Sequence, residues 1–269
     1  VGILEQLISS AADGVEQRRS RIPLDRLEKE LSGRGPSRPF QEALARPGGM
    51  SLICEFKRRS PSAGEIAPRV RLADQVKAYE AGGAAALSIL TDEVHFDGRL
   101  ADLREARQNT TLPILRKDFI VDRYQLVEAA AGGADAVLLI VAVLDDSRLV
   151  EFQQHAAELD LDCLVEVHSE PELERALECG AEIIGINNRN LDTGVVDVDT
   201  TYQLVTDVPT GHTVVTESGI SHREELVEMD RVGIDAALIG ESLMRSEDPE
   251  NKVRELAGMS DATTEHFLP

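Results

Sequence analysis

Several apolar, strand-like runs in this sequence end in charged or amide residues. Ser51-Leu52-Ile53-Cys54 leads into Glu55-Phe56-Lys57, and Leu112-Pro113-Ile114-Leu115 into Arg116-Lys117-Asp118. Cys163-Leu164-Val165 leads into Glu166, Ile183-Ile184-Gly185-Ile186 into Asn187-Asn188-Arg189, and Val214-Val215-Thr216 into Glu217-Ser218-Gly219. Glu55 and Lys57 share a strand face, because side chains alternate with period two. If the other strand ends converge with them, Lys57, Lys117, Glu55, Glu166 and Glu217 can perturb one another's pKa values. Such a group supplies an acid, a base and an anion clamp. A buried strand has no need of Lys or Glu at its carboxyl end, whereas an enzyme at the mouth of a parallel barrel draws its chemistry from several strand ends. A ring of structural ion pairs is the competing reading. It accounts for Glu55, which precedes the last strand residue, better than for the charges at the rim.

Two glycine dipeptides follow late strands. Ser218-Gly219 comes after the seventh and Gly240-Glu241 after the eighth, where barrels commonly hold phosphate on backbone N–H groups and a helix N-terminus. Each is equally explained as turn chemistry. Lys57-Arg58-Arg59-Ser60-Pro61-Ser62 concentrates positive charge and hydroxyls in the first loop. In an acidic chain this suggests a nearby anion, against the plainer reading of a solvated turn. The six His show no metal-ligand spacing, so no metal is expected. His168, two residues after Glu166, reads first as a hydrogen-bonded loop residue. No nucleophile elbow is present.

The elements that must position these groups show a repeat. Ala81-Gly82-Gly83-Ala84, Ala131-Gly132-Gly133-Ala134, Cys179-Gly180-Ala181 and Val232-Gly233-Ile234 each precede an apolar run. Each reads as a helix stopping at Gly, a tight turn and a buried strand. The interval of about 50 residues holds two βα units. Four such signals alternating with the charged-end strands predict eight strands. Helical patterns span Leu72–Glu80, Arg123–Ala131, Asp146–Leu159, Pro171–Glu178 and Ser221–Val232, the last with a Ser221/Glu224 capping-box spacing. Alternating strands and helices argue for a parallel sheet. Eight units with apolar first and last strands favour a closed (β/α)8 barrel, and no GxGxxG follows the first strand to suggest a dinucleotide fold. Residues 1–47 precede the barrel as an extension, with helical periodicity over Ile3–Val15 and Leu24–Leu31. Pro36, Pro39, Pro47 and Gly48-Gly49 then mark loop. The segment after Gly258 is polar and expected to fray.

Composition narrows the class. The 269 residues suit one barrel domain, 1–269. The core must be aliphatic, since aromatics make up 3% and Trp is absent. A net charge of −21 argues against nucleic-acid or anionic-membrane partners. Its even spread reads as adaptation to a salty cytoplasm, or as an ordinary acidic protein. Cys54, Cys163 and Cys179 form no CxxC pair and fit a reducing, cytoplasmic location; Cys54 and Cys163 read as packing residues. The N-terminus lacks a signal pattern and no apolar run approaches membrane-spanning length. No motif sets the oligomeric state, and a monomer is expected.

Taken together the motifs resemble the indole-3-glycerol-phosphate synthase family. The matching stretches are Glu55-Phe56-Lys57-Arg58-Arg59-Ser60-Pro61-Ser62, Leu90-Thr91 with Phe96-Asp97-Gly98, Leu115-Arg116-Lys117-Asp118-Phe119 and Leu164-Val165-Glu166-Val167-His168. Ile186-Asn187-Asn188-Arg189-Asn190-Leu191, Thr216-Glu217-Ser218-Gly219-Ile220 and Ile239-Gly240-Glu241-Ser242-Leu243-Met244 continue in family order. The resemblance implies a (β/α)8 barrel with its helical extension over the mouth. It also implies cofactor-free conversion of 1-(o-carboxyphenylamino)-1-deoxyribulose 5-phosphate to indole-3-glycerol phosphate, CO2 and water. Carried over, Lys117 is the general acid on the ribulose carbonyl oxygen, Glu166 the base in dehydration and Lys57 the partner of the anthranilate carboxylate. Glu55, Asn187 and Glu217 orient these groups, and Arg189 faces the carboxylate. Ser60, Ser218, Gly219, Gly240 and Glu241 hold phosphate, and Phe96, Phe119, Leu138 and Leu191 line the slot for the ring.

Two positions depart from the family pattern: Arg99, where a small residue is usual, and Glu241, where Ser is frequent. A carboxylate at Glu241 disfavours phosphate unless it turns away. Two other readings remain open at this point. One is a Schiff-base aldolase using Lys117 or Lys57. The other is a barrel that binds a phosphosugar without turning it over.

Overall fold

The computed structural model describes residues 2–46 and 49–259. Pro47, Gly48 and residues 260–269 of the polar tail expected to fray lie outside the described residues. Eight parallel strands close into a barrel. They are β1 (Ser51–Phe56), β2 (Ala86–Leu90), β3 (Ile114–Lys117), β4 (Ala136–Ile140), β5 (Asp162–Val167), β6 (Ile183–Asn187), β7 (Thr213–Glu217) and β8 (Ala236–Ile239). Closure pairs β1 with β8, Ser51 opposite Ala236. The residues flanking Gly in the repeats behave as read: Gly133 follows its helix at φ 91° and Gly233 at φ 94°, left-handed turns that return the chain to the sheet.

Period-two alternation divides the core in two. Ile53, Ala86, Leu115, Ala136, Leu138, Leu164, Ile183, Val215 and Ala236 point inward and pack together inside the barrel. Leu52, Cys54, Leu87, Ile114, Val137, Val165 and Ile184 face outward beneath the helices. The interior is therefore a filled core, and chemistry is confined to its ends.

The N-terminal extension serves both ends. Helix α1 (Ile3–Arg21) sends Leu7 into the interior cluster beside Phe119, with Leu4 and Ala11 packed against it and Phe96 and Leu191 nearby. Helix α2 (Leu24–Leu31) packs Leu27 against Tyr124 and Val127 on the barrel flank. The chain then forms a helix where its prolines read as loop: α3 (Phe40–Leu44), with Pro39 as N-cap. A proline at a helix start loses no hydrogen bond, so the breaker marks a boundary and not a loop. Helix α3 plugs the amino-terminal end of the barrel. Phe40 and Leu44 are fully buried in the interior cluster, and the Gln41 N–H donates to Asp162 Oδ2 at 3.0 Å.

Carboxylates at strand starts anchor that end. Asp135 accepts the N–H of Ile114 at 2.9 Å and of Arg38 at 2.7 Å, and pairs with Arg107. Asp235 accepts the N–H of Val214 at 2.8 Å. One cap differs from the sequence reading: the seventh-unit helix is Arg223–Arg231, with Glu225 accepting the N–H groups of Ser221 and His222 at 2.8 Å. Glu224 takes no part in that cap, which frees Ser221 to line the cavity described below.

Phe40→Ala should therefore lower stability by about 3–5 kcal/mol through a cavity at the closed end. Turnover by the folded fraction should be unchanged. Denaturant unfolding at fixed salt measures the first; a loss below about 1 kcal/mol would show that α3 is not part of the barrel core.

Candidate active site

The carboxyl ends of the strands surround a cavity of about 460 Å³. Its floor is electrostatic. Lys57 Nζ lies 2.8 Å from Glu55 Oε1. Lys117 Nζ lies 3.3 Å from Glu166 Oε2 and 3.5 Å from Glu217 Oε2. Register produces this meeting: Asn187 is paired with Glu217 across β6–β7, and Glu55 with Ser88 across β1–β2, whose hydroxyl donates to Glu55 Oε2 at 3.3 Å. Two glycines make room. A Cβ on Gly185 would come within 2.6 Å of Glu217 Oε1, and one on Gly240 within 2.6 Å of Glu55 Oε1.

Lys117, Glu166 and Glu217 perturb one another strongly. Burial opposes the charge on Lys117, but Glu166, Glu217 and Glu55 outweigh it and raise its pKa. Burial would raise Glu166 too, yet Lys117, His168 and a hydrogen bond from Asn187 hold it well below the carboxylate range. Glu217 goes the other way. Burial, reinforced by Glu166 and Glu55, pushes it up to about 8 despite Lys117. Its Oε1 is buried without a hydrogen-bond partner. The group thus sets a charged acid beside one carboxylate held ionised and a second pushed toward its protonated form.

One wall is apolar: Phe96 and Phe119, ring centroids 6.5 Å apart, with Leu138 and Leu191. The opposite wall is polar backbone from Ser218-Gly219 and Gly240-Glu241. Ser218 and Gly219 both sit at positive φ, 67° and 87°. Ser218 is a non-glycine residue in a conformation that costs energy, held by Asn188, whose Nδ2 donates to its carbonyl at 3.0 Å. Asn188 is itself fixed by Thr201, whose hydroxyl donates to Asn188 Oδ1 at 2.8 Å. The Glu241 carboxylate turns to Arg245 at 2.9 Å, along its own helix. Arg99 is exposed and its guanidinium approaches Asp97 at 3.6 Å, so that departure stays out of the cavity.

Glu55, Lys57, Lys117, Glu166, Asn187, Glu217, Arg189 and the apolar and glycine positions named from the sequence all line this one cavity. Ser60 does not. It is buried in the turn of a short hairpin, its Oγ accepting the Ala63 N–H at 3.1 Å. Ser62 instead meets Arg189, whose Nη1 donates to its hydroxyl at 3.3 Å and to the Gly194 carbonyl at 3.0 Å. The three-base run divides as well: Arg58 is bound to Asp102 at 2.5 and 2.9 Å and stacked on Phe56 at 4.7 Å, leaving Lys57 to face the cavity. Sequence reasoning missed Ser221, in the loop after β7, and Ser242 and Arg245, in and just after the short helix Glu241–Met244 that follows β8. His168 is the hydrogen-bonded loop residue expected from the sequence, its N–H donating to Glu172 Oε2 at 2.8 Å, and its ring also lies 3.2 Å from Glu166 Oε1. The period-two offset of His168 from Glu166 was the available signal for that contact.

Comparison with known proteins accords with this geometry. Residues 4–256 match the family model for indole-3-glycerol phosphate synthase. The chain belongs to the indole-3-glycerol phosphate synthase family. The family's synthase from Nocardioides sp. is 44% identical over 96% of this chain and 99% of its own. The Aquifex aeolicus synthase is 44% identical over 96% of this chain and 100% of its own. Solved structures further away share the fold alone. The chain resembles a thiamine phosphate pyrophosphorylase from Pyrococcus furiosus at TM-score 0.62 and 20% identity, over 82% of this chain and 97% of that one. It resembles 3-hexulose-6-phosphate synthase from Salmonella typhimurium at TM-score 0.63 and 14% identity, over 78% and 97%.

In this family member Glu217 keeps its proton up to about pH 8, whereas an unfolded Glu releases it near its ordinary value. Between those limits the folded state binds the extra proton, so this group's stabilising contribution falls as pH rises. Glu217→Gln removes that loss. Its stability relative to wild type should rise between about pH 5 and about pH 8, read from denaturant midpoints. A difference independent of pH would show that Glu217 is ionised in the folded chain.

Proposed function

We infer that this chain is an indole-3-glycerol-phosphate synthase. It closes the indole ring of 1-(o-carboxyphenylamino)-1-deoxyribulose 5-phosphate with loss of CO2 and water. The observation that carries the reading is one cavity holding Lys117 among carboxylates, an aromatic slot on one side and a strained glycine turn on the other. The reaction balances with substrate, CO2 and water alone and needs no cofactor.

The roles follow from charge. The ring carbon that attacks the ribulose carbonyl bears the carboxylate, so that group must be held until it leaves. Lys57 and Arg189, both in the cavity wall, supply cations for it. Attack turns the carbonyl oxygen into an alkoxide, which needs a proton. Lys117 carries one throughout the working pH range because its neighbours raise its pKa. A raised pKa makes a weak donor in the free enzyme, but a developing alkoxide within reach is far more basic than Glu166. CO2 then departs and the ring recovers its electrons. Glu166, ionised, removes the proton whose loss completes the indole double bond, and a second proton, delivered by Lys117 once solvent has recharged it, lets the hydroxyl leave as water. Glu55, Asn187 and Glu217 orient these groups. The phosphate is assigned to backbone N–H groups of Ser218, Gly219, Gly240 and Glu241. The Glu241 carboxylate, turned to Arg245, leaves that side open. The same raised pKa speaks against the Schiff-base alternative, since an imine-forming lysine must shed its proton first.

The charge of −21 supports a salt-tolerant enzyme whose surface is self-repelling in dilute buffer. Free Cys54, Cys163 and Cys179 support a reducing, cytoplasmic setting. Among the described residues no helix is long and apolar enough to cross a membrane.

With no Trp in the chain, product indole fluorescence is readily separated from protein emission. Wild type should turn the substrate over, and Lys117→Ala and Glu166→Gln should each lower kcat by about 10²–10⁴-fold. A folded chain that binds the substrate but yields no product would overturn the synthase reading. Unfolding midpoints should rise between dilute buffer and molar KCl; equal midpoints would remove the salt adaptation.

A further inference from the structure

The two oxygens of Glu166 face two different cations. Oε2 lies 3.3 Å from Lys117 Nζ, and Oε1 lies 3.2 Å from His168 Nε2. The imidazole continues the chain of contacts outward. His168 Nδ1 lies 3.1 Å from Glu172 Oε2, and the His168 backbone N–H donates to that same oxygen at 2.8 Å. Glu172 stands in the first turn of the helix Glu170–Glu178 that follows β5. His168 itself does not line the cavity, and its side chain is 11% exposed.

A neutral imidazole has one N–H and one lone pair. Between two carboxylates the lone-pair nitrogen of a neutral ring would face an acceptor, so the imidazolium is the form that suits both: Nδ1 is hydrogen-bonded to Glu172, while the buried Nε2 meets Glu166 Oε1 at 3.2 Å as an ion pair without an aligned hydrogen bond. Burial opposes that charge, but Glu166 and Glu172 outweigh it and lift the pKa to about 10. The other charged groups in range act through Glu166: Lys117 favours its ionised form, and Glu217 shares the same buried cluster.

We propose that His168 is a positioning residue for the ring-closing reaction: as an imidazolium tethered by Glu172, it holds the Glu166 carboxylate ionised and fixes its orientation before substrate enters. Lys117 does not suffice for this, because its charge is divided among Glu166, Glu217 and Glu55 and its proton goes to the substrate. The proposal rests on the reading of Glu166 as the base.

Two variants and one spectrum test it. His168→Gln keeps the side-chain length and an N–H donor but no charge. It should lower kcat about 10- to 100-fold with KM little changed, as expected for a misoriented base. The acid limb of its pH profile should move upward, because a cation beside Glu166 has been removed. Glu172→Gln keeps the imidazole but takes away one of its two carboxylates, so the His168 pKa falls toward its ordinary value. Activity of Glu172→Gln relative to wild type should then be nearly whole at about pH 6 and decline as pH rises and the ring loses its charge. ¹⁵N spectra of histidine-labelled protein, with His168 assigned by its absence in His168→Gln, give a readout independent of turnover. Both ring nitrogens should be protonated in wild type at pH 8, and the titration should shift downward in Glu172→Gln and in Glu166→Gln. A neutral His168 at pH 8, or a wild-type kcat and pH profile in His168→Gln, would overturn the proposal. So would a loss of activity in both variants that does not vary with pH. Retained activity in Glu166→Gln would instead remove the base assignment on which the proposal stands.

Discussion

One buried ammonium organises this molecule. Lys117 sits at the end of β3 with Glu166 and Glu217 within ion-pair distance and Glu55 acting on it from β1. Alone, such a charge would be costly to bury, and so would each of the carboxylates. Together they are tolerated only if four strands far apart in sequence bring their ends to one point. The eight-strand closure meets that demand, and the filled interior beneath keeps the point dry. The arrangement leaves more carboxylates than the local cations can neutralise. The two glutamates respond in opposite directions: burial, with Glu166 and Glu55, pushes Glu217 toward its protonated form, while Lys117 and His168 hold Glu166 ionised. Two glutamates of equal intrinsic acidity thus acquire opposite states from their surroundings alone, the pattern by which a site separates an acid from a base.

The surrounding structure serves this cluster at several distances. Gly185 and Gly240 leave space for the carboxylates, and Asn188 holds Ser218 in a conformation serine disfavours. Behind Lys117, Arg116 is fully buried and ties Asp118, Glu128 and the Gln125 carbonyl together. Glu128 also receives Arg18 from α1 at 2.6 Å. The N-terminal extension is therefore joined by ion pairs to the strand that carries Lys117. Its third helix seals the opposite end, so one continuous segment contributes to the working mouth and to the closed floor.

Much of this was legible in the chain. Eight units, their strand identities and the charged strand ends follow from period-two runs and glycine-stopped helices. So does the convergence of fifteen of the sixteen nominated site residues on one cavity, since strand ends in a parallel barrel have nowhere else to point. The failures share a cause. Ser60, Arg58 and the segment carrying α3 lie where local pattern gives several choices and a distant partner selects one. Asp102 claims Arg58, and the barrel floor draws Phe40 and Leu44 into a helix that their prolines seemed to forbid. His168 was legible as a position on the same face as Glu166 but not as a bridge, because Glu172 lies on the following helix.

The sequence by itself determined the kinds of groups present, the face of each strand they occupy and the end of the barrel they share. Side-chain alternation and helix periodicity are local properties, written in neighbouring residues. Only the tertiary structure decided which of these groups are charged. Protonation depends on burial and on partners brought together across the barrel, and those distances are set by closure, not by spacing along the chain. The same limit explains why Glu241 can stand in the cavity wall: its carboxylate turns to Arg245, an orientation that composition and motif leave open.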